Sequence, residues 1–225
     1  MDPLIALSHI AAHTERVRLC TGVNILPQSN PLLLAKQAAS LDFLSGGRLE
    51  LGLGIGWLRE EYEAMGVPFE KRGARFDDYL EAMKKVWSGE VVEHESEHLH
   101  WTGFKSYPLP ANRGGVRVVI GGSKGKAFER AAKYGDGWYA PTSRVDQLAP
   151  MMDQLKAALA AEERDPSTLE VSAMWIPAME GVDSAQRYAE MGVSRLIVPL
   201  QALGGGGQAR DNLARFGEEV VSKVA

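Results

Sequence analysis

The chain has a single cysteine, Cys20, among 225 residues, so no internal disulfide is possible and a reducing compartment fits. No apolar run reaches the roughly 18 residues a membrane span needs, and no signal-peptide pattern opens the chain. There is also no basic run, and the formal net charge is -4. That balance speaks against nucleic acid and anionic membranes as partners. No repeat of fixed period is visible, and the only low-complexity tract is Gly204, Gly205, Gly206 and Gly207. A soluble, cytoplasmic protein is expected. With 45% hydrophobic and 24% charged residues, the chain can bury one core, and a single domain over 1–225 is expected.

What is present is concentrated at 39–57. Leu34, Ala38, Leu41, Phe43 and Leu44 give a helical apolar stripe, and Gly46 and Gly47 supply a left-handed stop. Leu49, Leu51, Leu53 and Ile55 then alternate with Glu50, Gly52, Gly54 and Gly56. One strand face is branched and the other nearly bare, which means that a backbone or a flat ligand comes close.

The remaining chain alternates short strands and helices. Asp2 and Pro3 open a first helix over 3–13, and a strand is predicted over 16–23. Asn30 and Pro31 cap the next helix. A charged segment over 59–75 precedes an amphipathic helix over 76–87. Residues 88–115 read as an excursion, with a two-stranded element over 91–102 and a turn-rich linker over 108–115. Strands near 117, 138, 170 and 195 alternate with helices over 126–133, 145–162 and 184–191, and a last helix ends near 224. Six principal strands with short crossovers argue for a parallel α/β architecture, either doubly wound or a closed barrel.

Several residues could carry chemistry. Gly121, Gly122 and Ser123 follow an apolar strand and precede a helix, where free N–H groups and a dipole end suit a phosphate. The surrounding residues match neither a Walker loop nor a dinucleotide fingerprint; a plain tight turn is the simpler alternative. Cys20 reads as a small core hydrophobe. His94, His98 and His100 lie among Glu93, Glu95 and Glu97, which favours a solvated hairpin over a metal site. His9 and His13 fit a helix surface or a subunit contact. Glu60, Glu61 and Glu63 fit a helix N-terminal turn.

The segments RLCTGV at 18–23, LDFLSGGRL at 41–49, GLGIGW at 52–57, IGGS at 120–123 and YGDGW at 134–138 together resemble luciferase-like monooxygenases. The branch they are most similar to is the one that uses the deazaflavin coenzyme F420. The resemblance implies a (β/α)8 TIM barrel whose first strand–helix–strand is lacking here, with the cofactor at the C-terminal strand ends. It implies that Gly22 and Val23 form a strand-end bulge, often with a non-prolyl cis peptide, behind the ring, with Asn24 beside them in the cofactor site. Gly54, Gly56 and Trp57 would line the ring or its side chain, and Gly121, Gly122 and Ser123 would hold the phosphate. Family catalytic groups belong to the lacking strands, so no catalytic acid or base is assigned, and no metal is expected.

The resemblance implies an oxidoreductase that moves a hydride between F420 and a small organic substrate. The alternatives are an FMN-dependent monooxygenase using reduced flavin and oxygen, or a non-catalytic flavin-binding protein. It also implies a homodimer through the helices over 3–13 and 31–44.

Overall fold

The computed structural model describes residues 1–204 and 208–222. The glycine loop predicted over 204–207, apart from Gly204 itself, and the helix end predicted near 224 lie outside the described residues. The chain forms two compact units, Met1–Gly121 and Gly122–Ala225.

In the first unit, α1 (Pro3–Ala12) starts as expected, with Asp2 Oδ1 accepting the Ile5 N–H at 2.9 Å. Asn30 does the same for α2 (Pro31–Ser45), accepting from Leu32 and Leu33. Helix α2 ends where Gly46 and Gly47 turn left-handed, at φ 70° and 83°. Three parallel strand pairs form the sheet here: β1 (Leu19–Cys20) and β2 (Asn24–Ile25) both pair with β3 (Leu49–Gly54), which pairs with β6 (Arg117–Gly121).

Register sorts the two sheet faces. Leu19, Leu49, Leu51, Leu53, Val118 and Ile120 share one face, and each is at most 1% exposed. Helix α2 covers part of this core with Leu34, Ala35, Ala38 and Leu41, beside α4 (Arg72–Val86). The other face carries Cys20, Glu50, Gly52, Gly54, Arg117 and Gly121. Between α2 and α4 lies the short α3 (Arg59–Ala64), which carries Glu60, Glu61 and Glu63. The excursion is an antiparallel pair, β4 (Val92–Glu95) with β5 (His100–Phe104).

Three expectations need correction here. The strand predicted over 16–23 is broken into β1 and β2, because the chain bulges at Thr21, Gly22 and Val23. Helix α4 begins at Arg72 rather than 76, since Arg75 turns inward and donates to the Pro68 carbonyl at 2.7 Å. Cys20 is exposed rather than core, because it stands on the sheet face opposite the leucines.

In the second unit, β7 (Gly137–Ala140), β8 (Glu170–Met174) and β9 (Arg195–Ile197) run parallel. Helices α5 (Ala127–Tyr134), α6 (Val145–Ala161) and α8 (Ser184–Glu190) accompany them. The core holds Trp138, Leu148, Leu155, Trp175 and Tyr188, all at most 2% exposed. A short helix, α7 (Pro177–Glu180), was not expected from the sequence; Pro177 at its first position permits it. Helix α9 spans Ala209–Phe216 and runs into a π-helical segment over Gly217–Val221.

Candidate active site

The candidate site is built at the C-terminal ends of β1, β2, β3 and β6. From Cys20 to Asn24 the chain takes four residue steps, while the partner strand takes three from Glu50 to Leu53. One residue is therefore surplus, which defines a β-bulge. The Gly22–Val23 peptide bond within it is cis. Thr21 anchors the bulge, its N–H donating to the Glu50 carbonyl at 3.3 Å and its hydroxyl to the Gly52 carbonyl at 2.9 Å.

The glycines of β3 and β6 are the complement of this bulge. A Cβ at Gly52 would stand 1.8 Å from the Thr21 carbonyl oxygen, so only glycine fits under that backbone. A Cβ at Gly54 would meet Val23 Cγ2 at 2.8 Å, and one at Gly121 would meet Val23 Cγ1 at 2.9 Å. Val23 thus fills the room that the bare strand face leaves. Gly22 is different: it is exposed, and nothing lies within 4 Å of the place a Cβ would take. The open surface of this end is the bulge itself, over Gly22, Val23 and Asn24.

Gly56 turns at φ 67°, packed against Ile25 and Tyr62. The Tyr62 hydroxyl donates to the Ile55 carbonyl at 2.5 Å, and Arg72 Nε donates to the Gly56 carbonyl at 3.3 Å. Burial pushes the Tyr62 phenol up, against the pull of Arg72 and Arg75. Arg72 also lies 3.8 Å over the Phe69 ring. Trp57, directly after the turn, is 81% exposed. Gly22, Val23, Gly54 and Gly121 are brought together; Asn24 continues the bulge into β2, and Trp57 projects from the next turn.

Gly122 and Ser123 open the second unit. Gly122 has φ 122°, and its carbonyl accepts the Trp138 indole N–H at 2.9 Å. Trp138, from the YGDGW segment, is buried and packs on Phe128 of α5. The helix starts at Ala127, one residue later than expected, so Lys124 and Lys126 lie in the turn. Arg164 closes the other end of α5, donating to the carbonyls of Ala131, Ala132 and Gly135.

Two of the hairpin histidines serve structure, and His94 departs from the solvated hairpin expected of it. His94 is buried, bonded to Asp78 at 2.7 Å and stacked on Trp101 at 4.7 Å, and so fastens the hairpin to α4. His100 pairs with Glu95 on the surface. No group of three or more His, Cys, Asp or Glu side chains that could hold a metal is present among the described residues.

The family model for luciferase-like monooxygenases matches residues 1–220. The chain belongs to the luciferase-like monooxygenase family. An uncharacterized protein of Mycobacterium tuberculosis is 31% identical across 100% of this luciferase-like chain and 77% of its own length. The FMNH(2)-dependent dimethylsulfone monooxygenase of Pseudomonas putida is 26% identical over 70% of the chain and 44% of its own length. Among solved structures, the coenzyme F420 dependent tetrahydromethanopterin reductase of Methanopyrus kandleri superposes with a TM-score of 0.85 at 15% identity, over 100% of this chain and 88% of that one. A monooxygenase of Streptomyces bottropensis superposes at 0.68 with 26% identity, over 99% of this chain; the luciferase-like chain spans 64% of its length. The α/β fold is thus that of the luciferase-like TIM-barrel proteins.

Two residues that build the site carried no functional signal in the sequence. Thr21 sets the bulge, and Arg72 holds the glycine turn. The signal that could have exposed Thr21 is Gly52, because a glycine inside a buried strand asks which backbone approaches it.

Proposed function

We propose that this luciferase-like chain is an oxidoreductase that moves a hydride between coenzyme F420 and a small organic substrate. The observation that carries the reading is the open bulge over Gly22, Val23 and Asn24, backed from below by Val23 seated on Gly54 and Gly121. A flat ring fits against a surface that has no side chain at Gly22. Asn24 borders the ring edge, Gly56 and the exposed Trp57 line the path of its side chain, and Gly54 acts from beneath by seating Val23. Gly121, Gly122 and Ser123 are proposed for the phosphate, with Lys124 and Lys126 in the same turn adding positive charge. The bound cofactor supplies the hydride chemistry, taking two electrons from the substrate or returning them. The residues named here bind, orient and shield; none is assigned as an acid or base.

FMN with molecular oxygen is the second reading, favoured by the likeness to the dimethylsulfone monooxygenase. Anaerobic titration with F420 and with FMN, read by quenching of the five tryptophans, separates the two. F420 is expected to bind at least about tenfold tighter, a difference of about 1.4 kcal/mol. Tighter FMN binding selects the second reading. Gly22→Leu is expected to abolish either titration while leaving the melting temperature nearly unchanged, since that side chain points into open space. Unaltered binding in Gly22→Leu removes the bulge from the site.

We also propose a homodimer through α1 and α2. Of the ten residues of α1 only Leu4 is buried, while Ile5 and Ile10 stand exposed. Leu33, Phe43 and Leu44 of α2 are exposed as well. So much bare aliphatic surface on adjacent helices calls for a cover. Light scattering after size exclusion should give twice the monomer mass at micromolar concentration; a monomer there refutes the dimer.

A further inference from the structure

At the opposite, N-terminal ends of the same strands lies a cleft of about 460 Å³ lined by Arg16, Arg18, Gly47, Arg48, Glu50, Asn112 and Arg117. Its volume falls in the range of small-molecule sites. The geometry points to a binding site there for a doubly charged oxyanion, a phosphate or a phosphomonoester, separate from the cofactor reading.

Charge is the first reason. Four guanidiniums line the cleft against one carboxylate, in a protein whose net charge is negative. Glu50 is 1% exposed and takes Arg18 at 2.5 Å and Arg117 at 3.6 Å, so one carboxylate is shared between two cations. Arg48 spends its donors on carbonyls and a hydroxyl and still brings a full positive charge. Like charges gathered this closely repel, and an anion among them relieves that cost.

Architecture is the second. Arg117 is held opposite Glu50 by strand register, and Arg48 is locked by its five hydrogen bonds. Those two cations are positioned before any ligand arrives. Arg16 is exposed and makes no hydrogen bond or ion pair among the described residues, so it can turn onto a ligand at little cost. A dianion suits the excess of charge better than a monoanion, and guanidinium forks match tetrahedral oxyanions.

The test is calorimetric titration of the full chain with inorganic phosphate and, separately, with glycerol 3-phosphate, at an ionic strength fixed with sodium chloride. Saturable one-to-one binding of at least one of them is expected. Arg16→Gln and Arg117→Gln should each weaken it by about tenfold, the loss of one charge-assisted hydrogen bond. Arg16→Gln removes no contact and should fold, and its F420 and FMN titrations should match those of the wild type. The proposal is overturned if neither probe saturates, if both variants bind as the wild type does, or if Arg16→Gln loses the cofactor along with the phosphate. The last outcome would make the arginines part of the cofactor site.

Discussion

The two ends of β3 and β6 solve the same problem in opposite ways. At the C-terminal end the strands carry glycine, yet the space is filled, by the Thr21 backbone over Gly52 and by Val23 over Gly54 and Gly121. At the N-terminal end they carry Glu50 and Arg117, among the bulkiest polar side chains, yet a cleft remains. Small residues here mark close approach, and large charged ones mark room. The cause is that several guanidiniums gathered around one carboxylate repel one another and hold solvent between them, whereas a missing Cβ lets a neighbouring backbone descend to contact.

The sharpest break of this contrast is at Gly52. Gly52→Ala places a methyl 1.8 Å from a backbone oxygen that cannot swing aside. A loss of about 3 kcal/mol or more is expected, and a fall in melting temperature of roughly 6–12 °C for a chain of this size. Gly54→Ala meets only the Val23 side chain and should cost about 1–2 kcal/mol. Adding Val23→Ala to Gly54→Ala should recover part of that loss, whereas adding it to Gly52→Ala should recover none. Equal losses at the two glycines would show that the bulge backbone is not what fills the strand face.

At the charged end Arg48→Ala is the counterpart. It strips partners from the carbonyls of Ala11, Thr14, Val17 and Ser45. The expected cost is about 2–3 kcal/mol, held down because some of those carbonyls reach water. Hydrogen exchange should show the loss concentrated at the C-terminal turn of α1 and the run into β1. A loss spread evenly over the unit would mean that Arg48 is merely one more surface cation.

Much of the frame was legible from sequence. Both helix caps, the left-handed stop at Gly46 and five of the six principal strands follow from local chemistry that needs no knowledge of distant neighbours. What the sequence hid depends on pairing between strands. Alternation over 16–23 predicted an unbroken strand, because Val17, Leu19 and Thr21 alternate faultlessly while the surplus residue is visible only against β3. Cys20 misled for the same reason: its face is decided by Glu50 across the ladder. The bulge came from the resemblance to luciferase-like proteins, which implied it at Gly22 and Val23. Arg48 stood in a recognised segment with no role attached, since three of the four carbonyls it gathers, those of Ala11, Thr14 and Val17, lie in or just after a helix more than thirty residues upstream.

Burial also pushes the Asp42 carboxyl up, against the backbone amides of Ala111, Leu49 and Asn112. Asp42 accepts the Ala111 N–H at 2.9 Å and so ties the linker after the hairpin to α2. That tie, like the bulge, joins stretches far apart in the chain and left no local mark.

The surplus residue in the bulge acts as a phase shift. Before it, even-numbered positions of this edge face the glycine side, as Cys20 does opposite Glu50. After it the parity is reversed, and Ile25 stands opposite Gly54 while Asn24 stands opposite Leu53. Removing one residue between Cys20 and Asn24 would therefore do more than shorten a loop. It would restore continuous alternation, with Asn24 still opposite Leu53 and Ile25 still opposite Gly54, and leave the six-residue strand β3 matched along its length by a partner with no platform on it.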